Sequence, residues 1–314
     1  MSPVSRKASA LRSASPHWNI KAITAELREL RVKDHELREG PVKLPARKAL
    51  VKIMDGFSAA LFPNRLGLCE ISDEGVDFFV GHTLDLTLNE LLQQVRLEFE
   101  FTCARGVIIA PENDLSAPVV GALAKELPRI RALLDSDIRA AFDGDPAARS
   151  IDEVLICYPG VTAIIHHRIA HVLYKLGAPL LARMIAEIAH STTGIDIHPG
   201  AEIGESFFID HGTGVVIGET TIIGKRVRLY QAVTLGAKRF ATDEHGALLK
   251  GGARHPIVED DVVVYAGATI LGRVTIGAGS SIGGNVWLTR SVPPGSTISQ
   301  AQVRSEDFHD GGGI

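Results

Sequence analysis

VEDDVVVYAGATILGRVTIGAGSSIGGNVWL, residues 258–288, decides the fold. Val258, Val264, Ile270, Ile276, Ile282 and Leu288 recur at every sixth position. A helix repeats near 3.6 residues and a strand at 2, so a period of six is neither. It fits a chain that makes one short strand and one turn per hexapeptide. Each inward aliphatic residue then stacks on the coil below, as in a parallel β-helix. The same step runs upstream through Ile197, Ile203 and Ile209, slips by two residues, and resumes at Ile217, Ile223, Leu229 and Leu235. Many of these residues precede a glycine directly, as in Ile217-Gly218, Ile276-Gly277 and Ile282-Gly283. There the missing Cβ lets the chain turn the corner. The chain's 31 glycines and low aromatic content of 5% agree with a tightly turning backbone.

Two breaks interrupt the repeat. The slip falls at Asp210-His211-Gly212-Thr213-Gly214. The second break is AKRFATDEHGALLKGGARHPI, residues 237–257, which ends in Arg254-His255-Pro256 and then Ile257. Solenoids carry their insertions on one functional face.

Before Gly194 the pattern is helical. NIKAITAELRELR sets Ile20, Ile23, Leu27 and Leu30 on one face. Thr87 and Glu90 read as a capping box ahead of Leu91, Leu92 and Val95. VTAIIHHRIAHVLYKLG carries Ile165, Ile169, Val172, Leu173 and Leu176 at helical spacing and stops at Gly177. Such amphipathic helices pack on one another or on a partner chain. The expected fold class is α+β. A disordered leader (1–19) precedes an α-helical domain (20–191). A left-handed parallel β-helix (192–299) follows, with a protruding loop (237–257) and a flexible tail (300–314).

Bulk properties exclude several functions. The 314 residues carry a formal charge of −4 and a pI near 6.3, so no basic excess points to nucleic acid. No apolar run has the length of a membrane span. Cys69, Cys103 and Cys157 are scattered and form no CxxC, which fits a reduced cytoplasmic setting. The leader is Ser-rich with Arg6, Lys7 and Arg12 but has no apolar core, so it does not read as a secretory signal.

The β-helix offers a rigid mount for chemistry. Asp196 and His211 are fifteen residues apart. In a coil of roughly eighteen residues with a local slip, that spacing brings them near each other, on one coil or across a subunit boundary. Asp–His is the orienter and base of acyl transfer; a turn histidine satisfied by backbone is the plain alternative. Arg254 and His255 suit a carboxylate, or are solvated loop residues. Asp145-Pro146 reads as an N-cap with Pro at N1. His166, His167 and His171 share one helix and read as a polar face or subunit contact.

The chain resembles the serine O-acetyltransferases, in the longer-looped bacterial subgroup. The residues that carry this are DIHPGAEIG (196–204), DHGTGVVIGET (210–220), VTLG (233–236), RHP (254–256), AGATILG (266–272), VPPGS (292–296), RIAH (168–171) and Asp145-Pro146. The resemblance implies that His211 and Asp196 are the catalytic pair and that His211 takes the proton of the serine hydroxyl. It implies that Asp145 and Asp210 bind the ammonium of L-serine and that Arg254 and His255 bind its carboxylate. Acetyl-CoA is the implied co-substrate, lying between neighbouring β-helices near Gly236, Ala266 and Gly284, with no permanently bound cofactor and no metal. Feedback inhibition by L-cysteine and a homotrimer, or a dimer of trimers, are further implications. The tail SEDFHDGGGI resembles those that end in Ile and insert into O-acetylserine sulfhydrylase, with Asp310 and Ile314 matching in type. At the end of the last coil Ser299-Gln300-Ala301-Gln302 replaces the usual Gly-x-Pro-Ala.

Three alternatives keep or change the class. The acceptor is another hydroxyl, of homoserine, a sugar or a xenobiotic. The fold is a γ-type carbonic anhydrase with His198, His211 and His255 on zinc. Or it is a non-catalytic scaffold.

Overall fold

The computed structural model describes residues 18–37, 43–67, 72, 75–104, 114–239 and 251–300. Most of the leader, Cys69, the middle of the 237–257 loop and the tail beyond residue 300 lie outside the described residues.

Eight helices are described: α1 (Ile20–Leu37), α2 (Arg47–Leu61), α3 (Pro63–Leu66), α4 (Val76–Ala104), α5 (Ser116–Gly144), α6 (Ile151–Cys157), α7 (Pro159–Lys175) and α8 (Pro179–Thr193). The apolar stripe of α1 is exposed within one chain, Ile20 by 61% and Leu30 by 62%. The remaining helices share one core built on Leu50, Phe57, Leu91, Leu123, Ile169 and Ile185. The capping box at Thr87 does not form, because α4 starts eleven residues earlier at Val76. Thr87 is buried and packs where a Cβ on Gly56 of α2 would fall. Tertiary packing here overrides a local start signal. The start of α8 has no capping side chain of its own. Glu98 of α4 supplies the cap, accepting the N–H groups of Leu180 and Leu181 at 2.7 and 2.9 Å.

Helix α7 stops where expected, with Gly177 at φ 87°. Its histidines are not a polar surface. His167 is 3% exposed, and burial pushes its imidazole well below the usual range. His171 Nδ1–H donates to the Pro199 carbonyl at 2.8 Å. This face lies against the first coil of the β-helix, which the helical spacing alone did not reveal.

The β-helix has three faces of parallel strands. The first sheet stacks β1 (Asp196–Ile197), β4 (Val216–Ile217), β7 (Thr234–Gly236), β10 (Thr269–Leu271) and β13 (Trp287–Leu288). The second stacks β2 (Glu202–Ile203), β5 (Ile222–Ile223), β8 (Ile257–Val258) and β11 (Thr275–Ile276). The third stacks β3 (Phe208–Ile209), β6 (Arg228–Leu229), β9 (Val263–Val264), β12 (Ser281–Ile282) and β14 (Thr297–Ile298). The register puts every residue of the six-residue pattern on its counterpart. Ile197, Ile217, Leu235, Ile270 and Leu288 form one inward column. Ile209, Leu229, Val264, Ile282 and Ile298 form another. Each buried aliphatic side chain contributes about 1.5–3 kcal/mol.

Helices and coils are joined in two ways. Gly194 ends α8 at φ 70° and sits two residues before β1, as Gly214 sits two residues before β4. A helix C-cap thus becomes the first corner of the solenoid. Arg168 of α7 and Asp137 of α5 form a bidentate pair at 2.7 and 2.8 Å, with side chains only 4% and 1% exposed. The guanidinium also donates to the carbonyls of Ile203 and Gly204, and Asp137 accepts the N–H of Phe207.

Candidate active site

The corner between the third and first sheets repeats with one exception. It is Tyr230–Val233, Tyr265–Ala268 and Gly283–Val286 on three coils, but Asp210–Val215, two residues longer, on the lowest. The regular rungs are left-handed: Gly214 at φ 79°, Ala232 at 58°, Gly267 at 72° and Asn285 at 57°. Their N–H groups tie each coil to the one below, Ala232 to the Thr213 carbonyl and Gly267 to that of Gln231. The two extra residues are therefore His211 and Gly212. Gly212 must be glycine, because a Cβ would fall on Ile195. His211, at φ 59°, is held in a conformation uncommon for a non-glycine residue, and its side chain is thrust outward with 72% exposure.

Asp210 lies beneath, 6% exposed. One oxygen is 3.8 Å from His211 Nε2, and the other accepts from Arg228 Nη2. Asp145, just beyond α5, joins this corner. Its oxygens accept from the Tyr158 hydroxyl and, at 2.8 Å, from the Ala147 N–H. These bonds hold its carboxyl below the usual range, with smaller help from Arg228 and His211. The same bond pushes the Tyr158 hydroxyl up to about 12. Asp145 is the C-cap residue of α5 and not the N-cap of a following helix; α6 begins at Ile151, with Ser150 as its N-cap. The corner thus gathers two carboxylates, a guanidinium and an exposed imidazole.

Arg254 and His255 sit at a different corner, between the first and second sheets. Arg254 Nη2 donates to Glu219, whose other oxygen accepts the Tyr174 hydroxyl at 2.9 Å. His255 lies over Gly218, where no Cβ fits, and its Nδ1 accepts the Thr220 N–H at 3.1 Å. Burial first, then Arg254, pushes His255 down to about 4. Burial, then Arg183, pushes neighbouring His198 down to about 4 as well. Both are neutral at pH 7. With Nδ1 accepting, His255 carries its proton on Nε2 and offers a donor, not a charge.

Ala266 and Gly284 stack at the His211 corner, a Cβ on Gly284 lying 3.2 Å from the Ala266 carbonyl. Gly236 ends β7 at the far side of the same sheet. Asp196 is on β1, and its carboxylate gathers with Glu187 and His190, their ligand atoms within 4.8 Å of one another. Among the described residues no hydrogen bond or ion pair joins Asp196 to His211, and no other trio of this kind occurs. His198 and His255 share a corner; His211 is at another, so one chain does not bring the three histidines together.

Sequence reasoning passed over Arg228, Tyr158 and Glu219. Arg228 was recoverable: writing the coils in register places it over Phe208, two residues from Asp210. Tyr158 and Glu219 have no such signal, because their partners come from other elements.

A three-faced coil of hexapeptides with an imidazole thrust out at an inserted corner defines a hexapeptide acyltransferase. Residues 255–290 match the bacterial transferase hexapeptide (six repeats) family. Across its whole length the chain is 56% identical to a plasmid-encoded serine acetyltransferase of Synechococcus elongatus, covering 99% of that protein. It is 51% identical over 52% of its length to the serine acetyltransferase of Mycobacterium tuberculosis, covering 67% of that protein. The chain belongs to the serine acetyltransferase family and is an acyltransferase. Serine acetyltransferase isoform 3 of Entamoeba histolytica, solved with cysteine, superposes with a TM-score of 0.70 at 32% identity, over 92% of this chain and 96% of that one. The Neisseria gonorrhoeae enzyme, solved with serine, gives 0.52 at 26% identity, over 82% and 96%. No helix among the described residues is long and apolar enough to cross a membrane.

Proposed function

We propose that this enzyme transfers the acetyl group of acetyl-CoA to the hydroxyl of L-serine, giving O-acetyl-L-serine and CoA, the first step of cysteine biosynthesis in the cytoplasm. His211 takes the hydroxyl proton as the oxygen attacks the thioester carbonyl and returns it to the departing CoA sulfur. The reading rests on one observation: the only two-residue insertion in that corner column presents His211 to solvent against two anchored carboxylates. Asp145 and Asp210 take the ammonium, and Asp196 orients the imidazole. The transfer so written uses acetyl-CoA as co-substrate and calls on no permanently bound cofactor or metal.

Arg254 and His255 take the serine carboxylate from a second copy of the chain. Their position at the other edge of the first sheet supports this, since one chain alone supplies only half of the groups. The assembly is a homotrimer or a dimer of trimers, with CoA in the groove between neighbouring β-helices, near Gly236, Ala266 and Gly284. Residues 20–191 and 192–299 act as its two domains. L-cysteine shares the ammonium and carboxylate handles of serine and inhibits by competing for them; the cysteine-bound Entamoeba enzyme supports this. Residues 305–314, ending in Ile314, bind O-acetylserine sulfhydrylase; removing Ile314 is expected to abolish that binding in a calorimetric titration.

The deciding measurement is thiol release from acetyl-CoA with a panel of acceptors. L-serine is expected to exceed homoserine, sugars and a blank. Release that is equal for L-serine and for alcohols lacking the amine would remove the amino-acid acceptor.

A further inference from the structure

Arg228 has no part in the chemistry above, yet its guanidinium lies in the same corner. Its guanidinium lies over two rings, Cζ 4.5 Å from the Tyr230 centroid and 4.9 Å from that of Phe208. One amino group donates to Asp210. The other donates to the carbonyl of Gly144 at 2.7 Å, at the C-terminal end of α5, where a cation is favoured. Gly144 is the residue before Asp145. One planar group therefore ties the acid of the solenoid corner to the peptide unit that carries the acid of the helical region. The Nε–H is buried without a partner. A pair shaped for stability alone would satisfy that donor; here the fork is committed to two targets on two elements.

We infer that Arg228 is a positioning residue for acceptor recognition: it locks Asp210 and Asp145 relative to each other and sets the net charge of the ammonium site. This rests on the L-serine reading above. Two neighbouring carboxylates repel each other. Arg228 offsets this: it ion-pairs with Asp210, and its charge also acts on Asp145. Two negative charges and one positive leave a single negative charge, which one ammonium neutralises. An acceptor that lacks the amine gains nothing from the arrangement. Lysine would keep the charge, but as a point charge it cannot span Asp210 and the Gly144 carbonyl together.

The test uses the full-length enzyme with Arg228→Met and Arg228→Lys, varying L-serine and acetyl-CoA separately. Arg228→Met is expected to raise KM for L-serine roughly ten- to a hundredfold, the loss of a charged hydrogen bond, and to leave KM for acetyl-CoA within about twofold. Arg228→Lys is expected to fall between it and the wild type. Arg228→Met should also acquire inhibition by millimolar calcium, because two uncompensated carboxylates attract a divalent cation. A merely structural role would move neither the split between the two KM values nor the calcium response. Equal rises in both KM values, or an unchanged KM for L-serine, would overturn the inference. So would Arg228→Lys matching the wild type, which also covers the case in which Arg228→Met does not fold. If the wild type fails to acetylate L-serine, the acceptor reading itself falls; if it succeeds and the Arg228 variants behave as wild type, only the positioning role falls.

Discussion

At the corner Asp210–Val215 the backbone, more than the side chain, sets up the proposed base, His211. A regular rung there has one left-handed residue; the insertion adds two more, His211 and Gly212, and lifts the imidazole clear of the coil. Replacing His211 by Ala is expected to lower kcat/KM by about 10²–10⁴-fold, the usual worth of a general base. Asp196→Asn should lose less, since orientation is secondary to proton transfer; steady-state kinetics with L-serine checks both. Retention of more than about a tenth of the activity by His211→Ala would put the base elsewhere. His198 and His255 carry a different consequence. Each is pushed from 6.5 down to about 4. Between those values the unfolded chain binds protons that the folded chain refuses, so their contribution is complete above about pH 6.5 and is lost as pH falls towards 4. Buried His167 and half-buried His166 and His171 shift the same way, while the raised carboxyls of Glu98 and Asp137 oppose it. The melting temperature is expected to be lower at pH 5 than at pH 7, and His255→Gln should narrow that gap. An unchanged gap in the variant would mean that His255 is not held neutral by burial.

Elements differ in what they tolerate. Removing His211 and Gly212 together leaves Asp210-Thr213-Gly214-Val215, which matches the form of Tyr230-Gln231-Ala232-Val233 on the next coil. The shortened protein is expected to melt like the wild type and to have no activity. Loss of folding on that deletion would show that the insertion is structural. The junction of α5, α7 and the first coil is the opposite case. Arg168→Met leaves Asp137 charged and buried, at a cost of about 3–5 kcal/mol. Denaturant unfolding should show a drop of that size, whereas Arg129→Ala, which loses only an exposed pair with Glu126, should change stability by less than about 1 kcal/mol.

The whole molecule divides the proposed site between two edges of one solenoid face. If two copies complete it, the halves are separable by mutation. Homo-oligomers of His211→Ala and of Arg254→Ala are each expected to be nearly inactive. Co-expressed, they should regain a fraction of activity from interfaces that pair an intact His211 with an intact Arg254. Light scattering is expected to give a trimer or a multiple of it. An active monomer, or no complementation in a verified mixed oligomer, would return the site to one chain. The exposed stripe of α1 belongs to this scale as well, because nothing within the described residues of one chain covers it.

Much of the fold was legible because its period is short. The columns that run through Ile270 and Ile282 follow from a step of six, since each coil meets only its neighbours and local spacing becomes global register. The slip at His211 was legible for the same reason: an insertion is conspicuous against a strict repeat. The helical region obeyed no such rule. Thr87 looked like a cap and His167 like a surface residue, because a helix shows only its own periodicity and what packs on it comes from distant sequence. The same limit applies to the site. Asp145, Asp210 and His211 could be singled out one by one, and Arg254 and His255 beside them. That the first three share a corner with Arg228, while the last two stand at another with Glu219, was decided by closure of the coil and by the docking of α5 against it. Sequence alone determined the repeat and where it breaks, because those are properties of neighbours along the chain. Tertiary structure alone decided which charges face each other, because Coulomb and hydrogen-bond energies depend on separation in space, and Gly144 and Arg228 meet only when two differently built halves pack together.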